Sequence, residues 1–222
     1  MRPSTLSSAS SLAAGAAVRK LLAWQVLAAL AWLGVVIGAT IEVVVYTGTP
    51  GRAGSPLANW PATCRLPLDQ NRPTLLMFAH PRCPCTRASL GELERLMARC
   101  QGQISAHVFF LKPAGLAEDW VKTDLWRKAS AIPGVSVHGD DAGLEARRFH
   151  AQTSGQTLLY GQNGLLMFEG GITISRGHSG DNPGRSVLTG LAHGVRSSRT
   201  KTPVFGCPLF ATDRRHGATC KE

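Results

Sequence analysis

The segment His80-Pro81-Arg82-Cys83-Pro84-Cys85-Thr86-Arg87 places two thiols one residue apart. A short apolar run of strand length, Thr74 to Ala79, precedes it, and a helical pattern follows. The thiols therefore fall at a strand-to-helix turn, with Pro84 suited to the first helical position because it has no N–H to leave unpaired. Unpaired backbone N–H groups and the positive end of the helix dipole favour a thiolate there, and Arg82, Arg87 and His80 add positive potential. A lowered thiol pKa is what disulfide exchange requires. Cys83, at the exposed end of the turn, is expected to attack and Cys85 to resolve, although exchanged roles satisfy the same chemistry. A Cys-Pro-Cys disulfide closes a smaller ring than one with two intervening residues, which makes it easier to reduce and suits an oxidant or isomerase better than a strong reductant. A purely structural bridge is disfavoured because so short a loop adds little entropic stabilisation.

Other side chains offer alternatives. His80 lies close enough in sequence to join the two thiolates on a soft metal such as Cu(I), and His178, on the Gly-rich stretch Ser175 to Asp181, is a distant third ligand for the same purpose. The metal-binding alternative is thus Cys83, Cys85 and His178. His107, on a strand, reads as packed or locally satisfied. Cys64, Cys100, Cys207 and Cys220 form a second group whose pairing the sequence leaves open: Cys207–Cys220 would close a tail loop, and Cys64–Cys100 is another choice. Cys100 ends an amphipathic helix and reads as a buried thiol. Cys207 sits in an apolar patch, Pro203 to Pro208, that suits docking onto a domain.

The chain that must position these groups has 222 residues and 23.6 kDa, room for one membrane-tethered domain and not for two sizeable cores. Its net charge of +10 is concentrated at the ends: residues 1–41 carry three basic and no acidic groups, whereas residues 42–175 carry 13 basic and 11 acidic. A nearly balanced middle argues against a nucleic-acid-binding face. Leu21 to Ile41 is free of charge, and a helix needs about 20 apolar residues to cross a bilayer. Arg2, Arg19 and Lys20 precede it, so the positive-inside rule keeps the amino terminus cytoplasmic and sends the rest to the extracytoplasmic, periplasmic side. A signal peptide cleaved near Ala39 is the other reading, but the stretch exceeds the roughly 7–15 residues of a signal core. The expected organisation is a cytoplasmic tail over 1–20, a single-pass anchor over 21–45, a linker over 46–73, a domain over 74–198 and a basic, cysteine-containing tail over 199–222. Within the domain, Leu90, Leu93, Leu96 and Met97 share a helical face, and Ile104 to Leu111 is a second buried-type strand. Leu116 to Ala131 reads as a helix, Val135 to His138 as a strand and Gly143 to Ala151 as a brief helix. Thr157 to Tyr160 and Leu165 to Phe168 flank the hairpin turn Gly161-Gln162-Asn163-Gly164, and a helix starts at Asp181 or Asn182 before Pro183. The order is β-α-β, α-β-α, β-β-α.

Over residues 70–195 this pattern resembles the thioredoxin-like superfamily, in particular membrane-anchored thiol–disulfide oxidoreductases of the TlpA, ResA and RedB type. The carriers are the strand TLLMFA, the cysteine motif after it, the following helix and the late hairpin TLLYGQNGLLMFEGG. The resemblance implies an α/β fold with a central mixed sheet flanked by helices. It further implies a redox pair made of Cys83 and Cys85, protein thiols or disulfides as clients, and no cofactor beyond the redox-active disulfide. The copper-chaperone branch of the fold, binding Cu(I) through the same thiols, is the alternative. The chain departs from the family in having Pro84 alone between the cysteines, and Met77 where many thioredoxins bury an acid. It also carries Gln156, before Thr157, where the family places a cis-proline facing the disulfide. Gln156 is therefore expected to turn its amide toward the cysteines.

Overall fold

The computed structural model describes residues 7–210 and divides into two units, Met1–Tyr46 and Thr47–Glu222. Helix α1, Ser7–Gly48, supplies the first. Its Arg19–Gly48 stretch has a mean hydropathy of 2.2, is buried nowhere, and is apolar on every side, with Leu21, Trp24, Leu27 and Trp32 all exposed. Thirty helical residues span about 45 Å, more than the ~30 Å of a bilayer core. Among the described residues this is the one helix long and apolar enough to cross a membrane.

The second unit is organised around β1, Thr74–Ala79. Its unbroken apolar run lacks the alternation of a strand with one wet face, and every residue of it is buried. Leu75, Met77 and Ala79 enter one core, and Leu76 and Phe78 enter another on the opposite face. Helix α2, Pro84–Arg99, leads to β2, Ser105–Lys112, which lies parallel to β1 with Thr74 opposite Ser105. A 3-10 turn, Glu118–Trp120, and α3, Asp124–Ser130, lead to β3, Val135–Asp141, parallel to β2. After α4, Leu144–Arg148, β4 (Gln156–Tyr160) returns antiparallel to β1, and β5 (Leu166–Gly170) pairs antiparallel with β4. Helix α5, Pro183–Ala192, closes the order, and the sheet reads β3-β2-β1-β4-β5.

Several local expectations hold for the reasons given. Pro84 opens α2, and Pro183 opens α5 behind an Asn182 cap whose side chain accepts from the Arg185 N–H at 2.8 Å. The expected helix over 116–131 is broken instead, because Thr123 takes extended backbone between the 3-10 turn and α3.

Two boundaries are corrected. Residues 46–73, expected as a linker, are built into the second unit. Trp60, Leu66 and Leu68 pack on the core that contains Leu76 and Phe78. The Trp60 N–H donates to Gly164 O at 2.8 Å, and the Tyr160 hydroxyl donates to Leu57 O at 2.8 Å. The unit also runs past residue 198, since Val204, Cys207 and Leu209 are buried. The physical reason is common to both: among the described residues the only helix on that face of the sheet is α4, five residues long, and irregular chain covers the apolar surface it leaves.

The opposite face is covered by α2 and α5, joined through a buried ion pair. Glu92, 0% exposed, accepts from Arg185, 4% exposed, as well as from the Gly180 N–H at 2.8 Å and the Asn182 amide at 3.1 Å. Removing Arg185 leaves the buried Glu92 carboxylate with the half-exposed Arg95 as its remaining cation, a poor substitute for a buried partner in a low dielectric. Arg185→Met is expected to destabilise the protein by about 3–5 kcal/mol, read as a lowered urea midpoint in tryptophan fluorescence. A midpoint unchanged from wild type would show that the remaining donors satisfy Glu92 on their own.

Candidate active site

The site forms where β1 ends. After Ala79 the chain turns through His80 to Arg82, and Cys83 caps α2 with extended backbone at φ −87 and ψ 118. The Cys83 N–H donates to His80 O and the Thr86 N–H to Cys83 O, each at 3.1 Å, which locks the turn. Because β4 starts beside the end of β1, the residues before it meet this turn. The His80 N–H donates to Ser154 Oγ at 2.9 Å, and the Ser154 and Thr86 hydroxyls share a buried hydrogen bond of 2.8 Å. Gly155 has φ +88 and donates its N–H to Phe78 O at 2.7 Å. A Cβ there would lie 2.7 Å from Ser89 Oγ on α2, so both its backbone angle and its close approach call for glycine.

Three thiols converge at the turn, and one of them is not part of the motif. Cys83, Cys85 and Cys207 form one buried cluster, at 0%, 8% and 7% exposure. Cys83 is thus covered, contrary to its expected exposure. Its pKa is held well below the ordinary thiol range, chiefly by a hydrogen bond from the Cys207 thiol and then by one from Cys85. The Cys207 and Thr86 backbone N–H groups add to this, and together these bonds outweigh the cost of burial. At Cys85 the Cys207 thiol also acts to lower the pKa, but donation to Cys83, burial and the neighbouring Cys83 charge prevail and raise it. The cation that favours a Cys85 thiolate is Arg176, whose guanidinium also donates to Gly206 O.

The other expected site residues fall as follows. Pro84 occupies the first turn of α2. Burial lowers the pKa of His80, whose Nδ1 accepts from the Arg82 N–H at 3.2 Å. Arg82 lays its guanidinium over Trp120, 4.7 Å from the ring centroid, and Arg87 is paired with Asp124. Thr157 is buried opposite Met77 in the sheet and donates to Gly155 O at 3.2 Å. Gln156 does not turn its amide toward the cysteines: its Oε1 accepts from the Gln152 N–H at 3.1 Å and the Gly54 N–H at 3.4 Å. The reason is strand alternation. Gln156 stands opposite Phe78, whose side chain enters the core on the face away from α2. The polar side chain that reaches the turn from this loop is Ser154.

His178 is exposed, with Nδ1 on Arg176 O at 2.7 Å. His107 is satisfied by Ser105 and His138, and burial and His138 lower its pKa to about 4. Among the described residues no group of three or more His, Cys, Asp and Glu side chains is arranged to hold a metal ion. A Cys64–Cys100 bridge is ruled out by placement. Cys64 packs against the core on one face of the sheet, where burial pushes its pKa up to about 11, while Cys100 is buried in the core of the other. Cys220 lies outside the described residues. Ser154, Arg176 and Cys207 are the residues that sequence reasoning did not place at the site; the one signal for Cys207 was its apolar setting within a basic tail.

The sheet, with two parallel strands beside β1 on one side and an antiparallel pair on the other, and with a helix starting directly after β1, defines a thioredoxin-like fold. No family model and no curated protein matches the chain. Solved structures do. A hypothetical protein of Sinorhizobium meliloti is 18% identical with a TM-score of 0.51, over 72% of this chain and 93% of its own. An uncharacterised conserved protein of Geobacillus kaustophilus is 17% identical with a TM-score of 0.52, over 74% and 93%. A secreted disulfide oxidoreductase of Mycobacterium tuberculosis is 14% identical with a TM-score of 0.39, over 56% and 82%.

The two motif thiols are set apart by their surroundings, one toward thiolate and one toward thiol. Ultraviolet thiolate absorbance of the reduced protein is expected to show a titration step well below the ordinary thiol range, absent in Cys83→Ser. In Cys207→Ala that step should move to higher pH, since the largest stabilising bond is gone. A step of unchanged position in Cys207→Ala would mean that the Cys207 thiol does not support the thiolate.

Proposed function

We propose that this protein is a thiol–disulfide oxidoreductase that exchanges disulfides with other proteins through Cys83 and Cys85. The observation that carries the reading is the opposed setting of the two thiols at the start of α2, which fits one to attack and the other to resolve. The Cys83 thiolate attacks one sulfur of a client disulfide, forming a mixed disulfide and expelling the other client sulfur as a thiolate. That thiolate takes the Cys85 proton. Cys85 then attacks Cys83 Sγ, releases the second client sulfur and leaves a Cys83–Cys85 disulfide, so the client gains two electrons and the protein loses two. Run backward, the same steps oxidise a client dithiol. The membrane-anchored TlpA and ResA type is the reading that α1 supports, with the cations before its apolar stretch favouring an extracytoplasmic second unit.

The full-length protein in detergent, offered a dye-labelled peptide disulfide, tests the chemistry. Cys83→Ser is expected to lower exchange on the order of a hundredfold or more, and the Cys85→Ser, Cys207→Ser double variant, which lacks both neighbouring thiols, to accumulate the mixed disulfide at Cys83. Exchange at the wild-type rate in either variant would sink the assignment. A topology reporter fused after Glu222 is expected to be active on the extracytoplasmic side, and cytoplasmic activity would reverse the orientation.

A further inference from the structure

The segment that brings Cys207 to the site is held there along its length. The Ser154 N–H donates to Cys207 O at 2.8 Å, the Leu209 N–H donates to Gln152 O at 2.9 Å, and Thr153 and Pro208 form an antiparallel bridge. The segment is thus a short added strand on the loop before β4. It is fixed upstream as well: the Gly171 N–H donates to Pro203 O at 3.2 Å and the Gly51 N–H to Val204 O at 2.8 Å. Gly206 marks the closest crossing, where a Cβ would lie 1.9 Å from Ser154 O. The result is a cysteine-bearing strand laid across the thiols, with its own sulfur in the cluster and Cys83 fully covered.

We propose that Cys207 is a third exchange thiol, and that residues 202–209 are a tethered client occupying the face where an external protein disulfide would bind. The proposal rests on the exchange reading above, which supplies the oxidising equivalents as client disulfides. Once Cys83–Cys85 is oxidised, Cys207 loses its proton and attacks Cys83 Sγ. The Cys83–Cys85 bond breaks, a Cys83–Cys207 bond forms, and Cys85 leaves as a thiolate that takes up the proton; no electron enters or leaves. The direction follows from native geometry. A Cys-Pro-Cys ring departs from relaxed disulfide geometry, whereas the folded chain already holds Cys207 in the thiol cluster by backbone bonds, so the longer link needs little further ordering. The resting oxidised form is therefore Cys83–Cys207.

Disulfide mapping decides this. The full-length protein is oxidised with glutathione disulfide, quenched in acid, alkylated and digested with trypsin without reduction. The peptide containing Cys83 and Cys85 is expected to be linked to the peptide containing Cys207, exceeding its internally bridged form on the order of tenfold. The link should persist in Cys85→Ser, which assigns it to Cys83. Gly206→Ala, which forces the segment away from Ser154, is expected to lower it several-fold; a link at the wild-type level there would overturn docking as its cause. If Cys85→Ser gives Cys83 glutathionylated and unlinked to Cys207, the third thiol is refuted while the exchange reading stands. If Cys83 is neither linked in Cys85→Ser nor glutathionylated in the Cys85→Ser, Cys207→Ser double variant, the exchange reading itself fails.

Discussion

β1 is paired on both edges in opposite senses, parallel to β2 and antiparallel to β4. That constraint creates the site. A parallel neighbour requires a crossover, so a helix must start where β1 ends, and an antiparallel neighbour must begin at that same end. The turn after β1 and the loop before β4 are therefore forced together, which is why the backbone of His80 finds the hydroxyl of Ser154 across much of the chain. Burial of β1 on both faces fixes the register of all three strands, because a one-residue slip would exchange the two cores. The thiols inherit their position from this arrangement.

The parts of the fold written as periodic patterns were legible in the sequence. The continuous apolar run of β1, the leucine face of α2, the GQNG turn and the Asn182-Pro183 start of α5 each rest on a local rule, and each appears where that rule places it. Residues 47–73 and 199–210 follow no period. They are held by isolated anchors such as Trp60, Val204 and Leu209 and by backbone bonds whose partners lie far away in sequence. No spacing announces such contacts. The position of Gln156 beside the end of β1 was likewise readable, but the direction of its side chain depended on which face of β1 Phe78 uses.

Electrostatics around the thiols shows the same division between neighbours in sequence and neighbours in space. Arg87, next to the motif, is paired with Asp124, and Arg82 lies over an aromatic ring. The guanidinium that favours a Cys85 thiolate comes from Arg176, on the stretch between β5 and α5, and it also binds the carbonyl of Gly206. One cation thus acts on a motif thiol and on the strand that covers it. The strongest influences on Cys83 are hydrogen bonds from neighbouring sulfurs, which outrank any formal charge.

Among the described residues, Cys207 follows the last strand and the last helix, whereas Cys83 follows the first strand. As the ribosome extends the chain, the motif cysteines are made early and the segment that shields them is made after all five strands of the sheet. A nascent molecule consequently holds the two motif thiols without their cover while the rest of the domain is made. Closure of the thiol cluster is a late, long-range event, paid for by loop entropy spanning nearly the whole domain. Maturation of this protein therefore includes an interval in which thiols that end up buried are open to whatever surrounds them.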